Sequence, residues 1–215
     1  MDADVVQASE RRFGLDKRVA RRILKEHSLI LGTLIIVFFI LLSIFANQIA
    51  IFPPDHQDLL QAFTPPSRSH PFGTDELGRD LFSRVVHASR VNLSLAVGSV
   101  VVALLLALPF GLAAGYYGGR VDRVISYVSD SLLTFPSMVL SIVIVSIIGT
   151  GERGLFITIV ITKAPALIRF IRGFVIQNRN REYIEAARAI GCTDLYIMVK
   201  HLLPNIFGSL IVILS

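Results

Sequence analysis

The sequence has few of the residues that hold small secreted domains together. Among its 215 residues there is one cysteine, Cys192, and no tryptophan. A single cysteine excludes a disulfide within the chain and offers no cysteine cluster for a metal. Without tryptophan, tyrosine and phenylalanine must supply any aromatic belt at a membrane interface. Charged residues are also sparse, at 17% of the chain.

Motifs for nucleotide binding and for hydrolytic catalysis are missing as well. The chain has no Gly-x-x-x-x-Gly-Lys-Ser/Thr motif and no Gly-Lys pair, which excludes ATP binding through a P-loop. It has no His-Glu-x-x-His, Cys-x-x-Cys or Gly-x-Ser-x-Gly motif. Its five histidines are scattered, and a single histidine more often has a structural role than binds a metal. We therefore expect no catalytic residues, no metal site and no cofactor.

The chain consists largely of apolar sequence. Hydrophobic residues make up 53% of it and the mean hydropathy is +0.65, values outside the range of soluble globular domains. The 21 basic residues outnumber the 16 acidic ones. A nucleic-acid-binding protein would cluster its basic residues on a polar domain, whereas here they flank apolar runs. The composition therefore predicts an all-α, polytopic protein in a lipid membrane, with no nucleic-acid partner.

Apolar runs divide the chain into predicted membrane spans. Residues 1–28 form a basic N-terminal segment, and the uncharged run 29–46 is long enough to be the first span. Residues 93–215 make up a core with three further spans and the start of a fifth: 93–117, 132–148, 155–176 and 206–215. The last run is too short to cross a bilayer, which takes about 20 residues. We therefore expect the sequence to be truncated in its fifth span.

Prolines and glycines add detail to these spans. Pro136 is expected to bend the start of the third span, and Pro165 is expected to open the helix of the fourth. Gly111 and Gly115 form a Gly-x-x-x-Gly pair, the kind that lets membrane helices pack closely.

The polar connection 47–92, predicted to lie on the extracytoplasmic side, separates the first span from the core. Thr74 or Asp75 can cap an amphipathic helix whose apolar residues fall on one face. These residues are Leu77, Leu81, Phe82, Val85 and Val86. The carboxylates of this stretch suggest a metal or catalytic site, but Arg79 and Arg84 beside them favour a capped, charge-balanced surface helix.

Basic residues are distributed unequally between the two sides of the predicted bundle. Residues 1–28, 118–130 and 169–200 contain fifteen basic residues, against five on the opposite side. Cytoplasmic loops of membrane proteins are enriched in lysine and arginine. The rule places the N-terminus and residues 178–205 in the cytoplasm, in a multi-pass protein of the cytoplasmic (inner) membrane.

The polar stretch 178–205 is predicted to form a two-helix loop. Helix-forming residues precede Gly191, which is placed to end the first helix and to set a bend. Thr193 or Asp194 can cap a second helix. That helix should stop before Pro204, because proline disfavours the helical conformation of the residue before it.

The first helix of this loop carries residues suited to docking. Small side chains at Ala186 and Ala187 let a partner approach the helix backbone, while Tyr183 supplies an apolar anchor. An ordinary amphipathic helical hairpin between two membrane spans explains the same pattern, and the periodicity does not decide between the two readings.

The order and spacing of residues in the loop resemble the EAA loop of ABC-importer permeases. Glu185-Ala186-Ala187 is followed after three residues by Gly191, and after nine more by His201-Leu202-Leu203-Pro204-Asn205. Most of that family has an apolar residue in place of His201, and the histidine is typical of its dipeptide, oligopeptide and nickel subgroup. The run Phe72-Gly73-Thr74-Asp75-Glu76-Leu77-Gly78-Arg79-Asp80 resembles a segment of the C-type subunit of the same subgroup.

The resemblance implies a fold, partners and site residues. The fold is the helical bundle of type I ABC-importer permeases, with a cytoplasmic two-helix coupling loop. The partners are a second homologous permease, separate ATP-binding-cassette ATPase subunits and an extracytoplasmic substrate-binding protein, and the cargo is a short peptide or nickel. The implied contacts with the ATPase subunit are Tyr183, Glu185, Ala186, Ala187, Gly191, His201, Leu203 and Pro204.

Two ionisable residues of the spans support a different interpretation. Lys163 falls within the fourth span and Asp130 near the start of the third, and charges at membrane depth are functional candidates. A secondary transporter driven by an ion gradient would use both. Equally, Lys163 can extend to the membrane surface or be paired, and Asp130 can have a helix-terminal or ion-paired role. A third class, an inert membrane anchor, would tolerate substitutions throughout residues 178–205.

Overall fold

A computed structural model of the chain describes residues 27–214. Nearly all of the basic segment predicted at 1–28 therefore lies outside the described residues. The described residues are largely α-helical, with one isolated β-bridge, between Thr74 and Asp80, and no strand among them. The all-helical fold class predicted from the composition is confirmed. The chain divides into two compact units, Met1–Leu93 and Ser94–Ser215.

The helices differ in length from a single turn to ten turns. Within the described residues they are α1 (His27–Ile44), α2 (Ala46–Ile49), α3 (Leu81–Tyr117), α4 (Gly119–Thr134), α5 (Ser137–Ile148), α6 (Glu152–Asn178), α7 (Glu182–Ala189), α8 (Asp194–Ile197) and α9 (Leu203–Leu214). A 3₁₀ turn at Leu59–Gln61 and a π-helical turn at Met198–Leu202 accompany them.

Two of these helices, α3 and α6, are long and apolar enough to cross a membrane. The pair α4 and α5 makes a third span if the two count as one broken helix. Helix α3 has 37 residues, so at about 1.5 Å per residue it exceeds the roughly 30 Å hydrocarbon layer. The apolar stretch Ile30–Ile44 of α1 is shorter than 18 residues, so the first predicted span stays a prediction.

Helix α3 begins five or six residues later than the sequence predicted. Asp80 caps it, rather than Thr74 or Asp75, because Asp80 Oδ2 accepts the backbone N–H of Ser83 at 2.7 Å. The expected amphipathic helix and the second span are therefore one continuous helix that starts at Leu81.

The residues before α3 form a tight loop instead of a helical turn. Gly78 has a φ of +68°, which a helix does not allow, and a Cβ there would lie 1.7 Å from the carbonyl oxygen of Asp58. Leu77, expected on the apolar face of the helix, consequently lies in this loop, ahead of α3.

Asp75 holds this loop together as a hydrogen-bond acceptor. Its Oδ1 accepts the backbone N–H groups of Leu77 and Arg79, each at 2.9 Å. Its Oδ2 accepts from Arg79 Nε at 2.7 Å and Arg84 Nη1 at 2.6 Å. Burial raises the pKa of Asp75, but the hydrogen bonds from Arg79 and Leu77 outweigh it and bring that pKa to about 2. The carboxylate therefore has a structural role in a charge-balanced loop.

In the second unit, α3 and α6 pack closely at the predicted Gly-x-x-x-Gly pair. A Cβ on Gly111 would lie 2.7 Å from Cβ of Ile171, and one on Gly115 would lie 2.6 Å from Cβ of Val175. This helix contact thus requires the absence of side chains at both positions, as the sequence predicted.

The prolines of the third and fourth predicted spans act differently from expectation. Helices α4 and α5 meet at 95°, so the third span is broken at Pro136 rather than bent. Pro136 disfavours the helical conformation of Phe135, which is extended with φ −75° and ψ 135°. Pro165, by contrast, lies buried inside the uninterrupted α6, so the predicted opening of that helix is wrong. Membrane helices tolerate such a proline when neighbouring groups satisfy the freed carbonyl.

One apolar core joins α3, α6, residues 178–205 and α9. Its fully buried members, each 0% exposed, are Ala103, Ala107, Ile171, Val175, Ile184, Ile197, Leu202 and Ile206. The two-helix loop therefore packs against the membrane helices instead of projecting from them.

Candidate functional site

The first helix of the two-helix loop, α7, has a buried face and an exposed face. Ile184 and Ala187 are buried, at 0% and 4% exposure, and belong to the core. Glu185 and Ala186 are exposed on the other face. Ala187 is therefore not available to a partner, contrary to the prediction. Its small side chain instead lets α7 lie close to the bundle.

Gly191 produces the bend after α7. Its φ of +85° lies in the left-handed region that other residues rarely adopt. The N–H of Gly191 donates to the carbonyl of Arg188, and the N–H of Cys192 donates to that of Ala187, both at 3.0 Å. These bonds close the end of the helix where the sequence predicted.

The second helix of the loop does not stop before Pro204. Thr193 caps it by accepting the N–H of Tyr196 at 3.4 Å. The chain then stays helical from α8 through the π turn Met198–Leu202 and into α9. The predicted stop is therefore wrong.

A π turn explains how the helix passes the proline. The N–H of Leu203 donates to the carbonyl of Met198, five residues back, so the turn just before Pro204 is wider than an α turn. Pro204 lies in the first turn of α9, where a missing N–H is tolerated. Asn205 Nδ2 donates to the carbonyl of His201 at 2.7 Å. The loop thus continues without a break into α9.

His201 joins the two helices of the loop. Its ring centroid lies 6.5 Å from that of Tyr183 in α7 and 5.8 Å from that of Tyr196 in α8. Asn205 Nδ2 also lies 3.5 Å from the hydroxyl of Tyr183, which accepts from it. Tyr183 and His201, both predicted as contacts for a partner, therefore also hold the loop in shape.

A contact that the sequence did not reveal ties the loop to the end of α3. Tyr116 is 7% exposed, and its hydroxyl donates to Asp194 Oδ1 at 2.7 Å. Arg188 Nε donates to the same hydroxyl at 3.3 Å, and the Arg188 guanidinium lies 5.0 Å from the centroid of the Tyr116 ring. We call this contact of Tyr116 with Asp194 and Arg188 the Tyr116 tie. It joins residues 78 positions apart, so no local sequence pattern indicates it.

Arg179, at the end of α6, strengthens the same junction. Its Nη1 donates to the carbonyls of Gly115 at 2.9 Å and Tyr116 at 3.3 Å. These are among the last carbonyls of α3, which lack partners within the helix. The ends of α3 and α6 and the two-helix loop therefore form one hydrogen-bonded junction.

Exposed apolar side chains flank the bend of the loop. Ile190 is 82% exposed and Leu195 is 67% exposed, one on each side of Gly191. We call the outer face the exposed set Tyr183, Glu185, Ala186, Ile190, Leu195, Tyr196 and Val199. Pro204 is exposed farther along the chain, whereas Leu203 is half-buried against the core.

The outer face is built for docking rather than for bond-making chemistry. It combines exposed apolar side chains with one carboxylate, the composition of a protein interface. Within residues 27–214, no group of three or more His, Cys, Asp and Glu side chains is arranged to hold a metal.

Asp130 and Lys163, which an ion-driven mechanism would use together, have different surroundings. Asp130 pairs with Arg169 and lines a small cavity between α4 and α6. Lys163 is exposed, and none of the described residues hydrogen-bonds its ammonium group. Six residues separate Lys163 from Arg169, which places the two on different faces of α6.

Two family models match the chain. Residues 107–215 match the family described as the binding-protein-dependent transport system inner membrane component. Residues 16–66 match the N-terminal TM domain of oligopeptide transport permease C. The first match contains the two-helix loop, and the second contains the first predicted span.

Curated relatives align along nearly the whole chain. The dipeptide transport system permease protein DppC of Alkalihalophilus pseudofirmus is 39% identical over 91% of this chain and 64% of its own length. The glutathione transport system permease protein GsiD of Pectobacterium atrosepticum is 33% identical over 91% of this chain and 65% of its own. The oligopeptide transport system permease protein OppC of Bacillus subtilis is 32% identical over 99% and 70%. The chain thus spans about two thirds of the length of these relatives.

Proposed function

Since the chain belongs to the family of binding-protein-dependent transport system inner membrane components, we propose that it is a permease subunit of an ATP-driven peptide importer. The family's proteins are membrane components rather than enzymes, which agrees with the helical fold and its apolar spans. In this proposal the two-helix loop receives force from separate ATP-binding-cassette subunits and passes it to the membrane helices.

The observation that carries the proposal is the position of the outer face relative to the Tyr116 tie. Ile190 and Leu195 are exposed next to the bend, while Asp194 and Arg188 of the same loop bind Tyr116 at the end of α3. A partner that displaces the outer face therefore pulls on the end of α3. Because the π turn continues into α9, the same displacement also reaches that helix.

Within this proposal each predicted contact has a defined role. Glu185 is the charged contact with the ATPase subunit, and Ala186 permits close approach. Gly191 sets the angle between the two helices, since only glycine adopts its φ readily. Pro204 and Leu203 join the loop to α9.

The distribution of basic residues supports a cytoplasmic location for the N-terminus and the loop. The ATPase subunits then act from the cytoplasm, and a substrate-binding protein delivers cargo from outside to this permease and a second, similar one. Short peptides are favoured over nickel as the cargo, because the relatives named above are permeases for dipeptides, oligopeptides and glutathione.

The ion-gradient alternative has less support. It needs Lys163 and Asp130 as working groups, yet Asp130 is paired with Arg169 and Lys163 lies on another face of α6. Uptake that continues after ATP is depleted while a proton gradient is held would favour it. Uptake that stops under those conditions would favour the proposal.

Substitutions in the loop of the reconstituted importer test the proposal. Glu185→Lys and Gly191→Val should abolish the ATPase activity that loaded binding protein stimulates, since one reverses the contact charge and the other changes the bend. Glu152→Lys and Gly149→Val are matched controls, because Glu152 starts α6 at its other end and Gly149 has a φ of +105° in open space. Stimulation that survives both loop variants would contradict the proposal.

A further inference from the structure

Four charged side chains meet between α4 and α6. Arg169 pairs with Asp130, and Arg172 pairs with Asp122. Both arginines belong to α6, one of the two helices long and apolar enough to cross a membrane.

One of the two ion pairs is open to its surroundings. The side chains of Arg169 and Asp130 are 58% and 55% exposed, against 32% and 20% for Arg172 and Asp122. Charges that are this exposed do not face lipid hydrocarbon, because their transfer into it is too costly. This side of α4 and α6 must therefore face water or another protein.

A cavity of about 210 Å³ adjoins the open pair. Ser129 lines it and is 3% exposed, yet none of the described residues hydrogen-bonds its hydroxyl. Every fully enclosed side-chain nitrogen or oxygen of the described residues has a partner. The Ser129 hydroxyl is therefore open to the cavity and takes its partner from there.

The side chains around the cavity have unused hydrogen-bonding capacity. Arg169 donates to Asp130 through Nη2, and its Nε and Nη1 have no acceptor among the described residues. Arg172 uses Nε and Nη2 for Asp122. A carboxylate entering the cavity can thus accept from the Arg169 guanidinium and the Ser129 hydroxyl, in the planar geometry that arginine favours.

We propose that this cavity is a subsite on the transport path, where Arg169 and Ser129 bind the terminal carboxylate of a peptide. Drug-sized ligands occupy pockets of about 300–1,000 Å³, so the cavity holds one end of a peptide. Asp130 orients the guanidinium and keeps the empty site electrically neutral. The inference rests on the proposed import of peptides and adds to it a binding site within the membrane helices.

Photolabelling of the assembled permease and ATPase complex in lipid nanodiscs tests the subsite. The binding protein is left out so that it cannot contribute recognition. The probes are alanyl-4-benzoylphenylalanine with a free carboxylate and the same dipeptide as its amide. For the free acid we expect labelling on α4 or α6, and Arg169→Gln should raise the half-saturating concentration about tenfold, as loss of a charge-assisted hydrogen bond does.

The amide probe makes the test specific for the carboxylate. Amidation should weaken labelling of the unmodified complex to the same degree, and should have no further effect on Arg169→Gln. Ser129→Ala should weaken labelling by the free acid less. Lys163→Gln removes a positive charge from another face of α6 and should leave labelling unchanged.

Three results would overturn the subsite. One is equal labelling in Arg169→Gln and the unmodified complex, and another is an amide effect that persists in Arg169→Gln. The third is loss of the second permease from the purified Arg169→Gln complex, which would assign the open pair to a subunit interface. Stimulation of the ATPase by loaded binding protein, measured on the same preparations, reports separately on the proposed function.

Discussion

At the scale of single residues, the account depends most on the hydroxyl of Tyr116. It donates to Asp194 and accepts from Arg188, in a site where the tyrosine is nearly fully buried. Tyr116→Phe keeps the ring and removes only these bonds. We expect peptide uptake per ATP hydrolysed to fall several-fold in the reconstituted importer, because the displaced loop then no longer pulls the end of α3 with it.

Tyr117→Phe is the matched control for this prediction. Tyr117 is 53% exposed and next in sequence, so its hydroxyl should be dispensable. Asp194→Ala should lower the same ratio, and combining it with Tyr116→Phe should add little, since both remove one contact. Independent, additive effects of the two substitutions would contradict the Tyr116 tie.

Asp75 gives a second prediction at this scale, for the loop before α3. Its pKa is about 2 in the folded protein, below the ordinary 3.8. Its contribution to stability is therefore fully present above about pH 4 and is lost as the pH falls toward 2. Asp75→Asn should make the polar connection 47–92 more sensitive to added protease at pH 7. This difference in protease sensitivity between the variant and the unmodified protein should shrink below about pH 4. Asp55→Asn, at an exposed site, should change nothing. A difference that is constant with pH would argue against the ion-pair role.

At the scale of elements, the packing of α3 on α6 is the most demanding contact. The added Cβ of Gly111→Ala would lie 2.7 Å from Cβ of Ile171, which belongs to a helix and cannot swing away. We expect this variant to lose about 1–3 kcal/mol of unfolding free energy, the usual cost of overpacking. It should therefore unfold at a lower temperature in detergent. Gly173→Ala is the same change in α6 with nothing within 4 Å, so it should be neutral or stabilising. Equal melting temperatures would contradict the close approach.

Elements that depend on one local sequence signal could be predicted, whereas elements for which several signals compete could not. Gly191 ends α7 as predicted, because no other sequence signal competes with the glycine there. Thr74, Asp75 and Asp80 all fit the rule for a helix cap, and the choice of Asp80 depends on the turn at Gly78, whose backbone crowds the distant Asp58. The stop predicted before Pro204 is wrong because a π turn lets the helix pass the proline, and a π turn leaves no sequence pattern.

For the molecule as a whole, the family could be predicted from the types and spacing of residues in two motifs. What the sequence could not supply were the contacts between distant segments. Tyr116 and Asp194 are 78 residues apart, and Asp130 and Arg169 are 39 apart. These two contacts could be recognised only once the helices had been placed. The proposals made for this chain rest on them.

We propose that the outer face of the two-helix loop meets an ATPase subunit in the cytoplasm. In a Cys192→Ser background, Ile190→Cys presents a thiol at the most exposed apolar position of that face, and Leu60→Cys places a control thiol in the polar connection, at a residue 97% exposed. In sealed vesicles that hold the assembled importer, a thiol cross-linker should join Ile190→Cys to the ATPase subunit. A membrane-impermeant maleimide added on the extracytoplasmic side should label only Leu60→Cys. Labelling of Ile190→Cys from outside, or the absence of any cross-link to the ATPase subunit, would contradict the account.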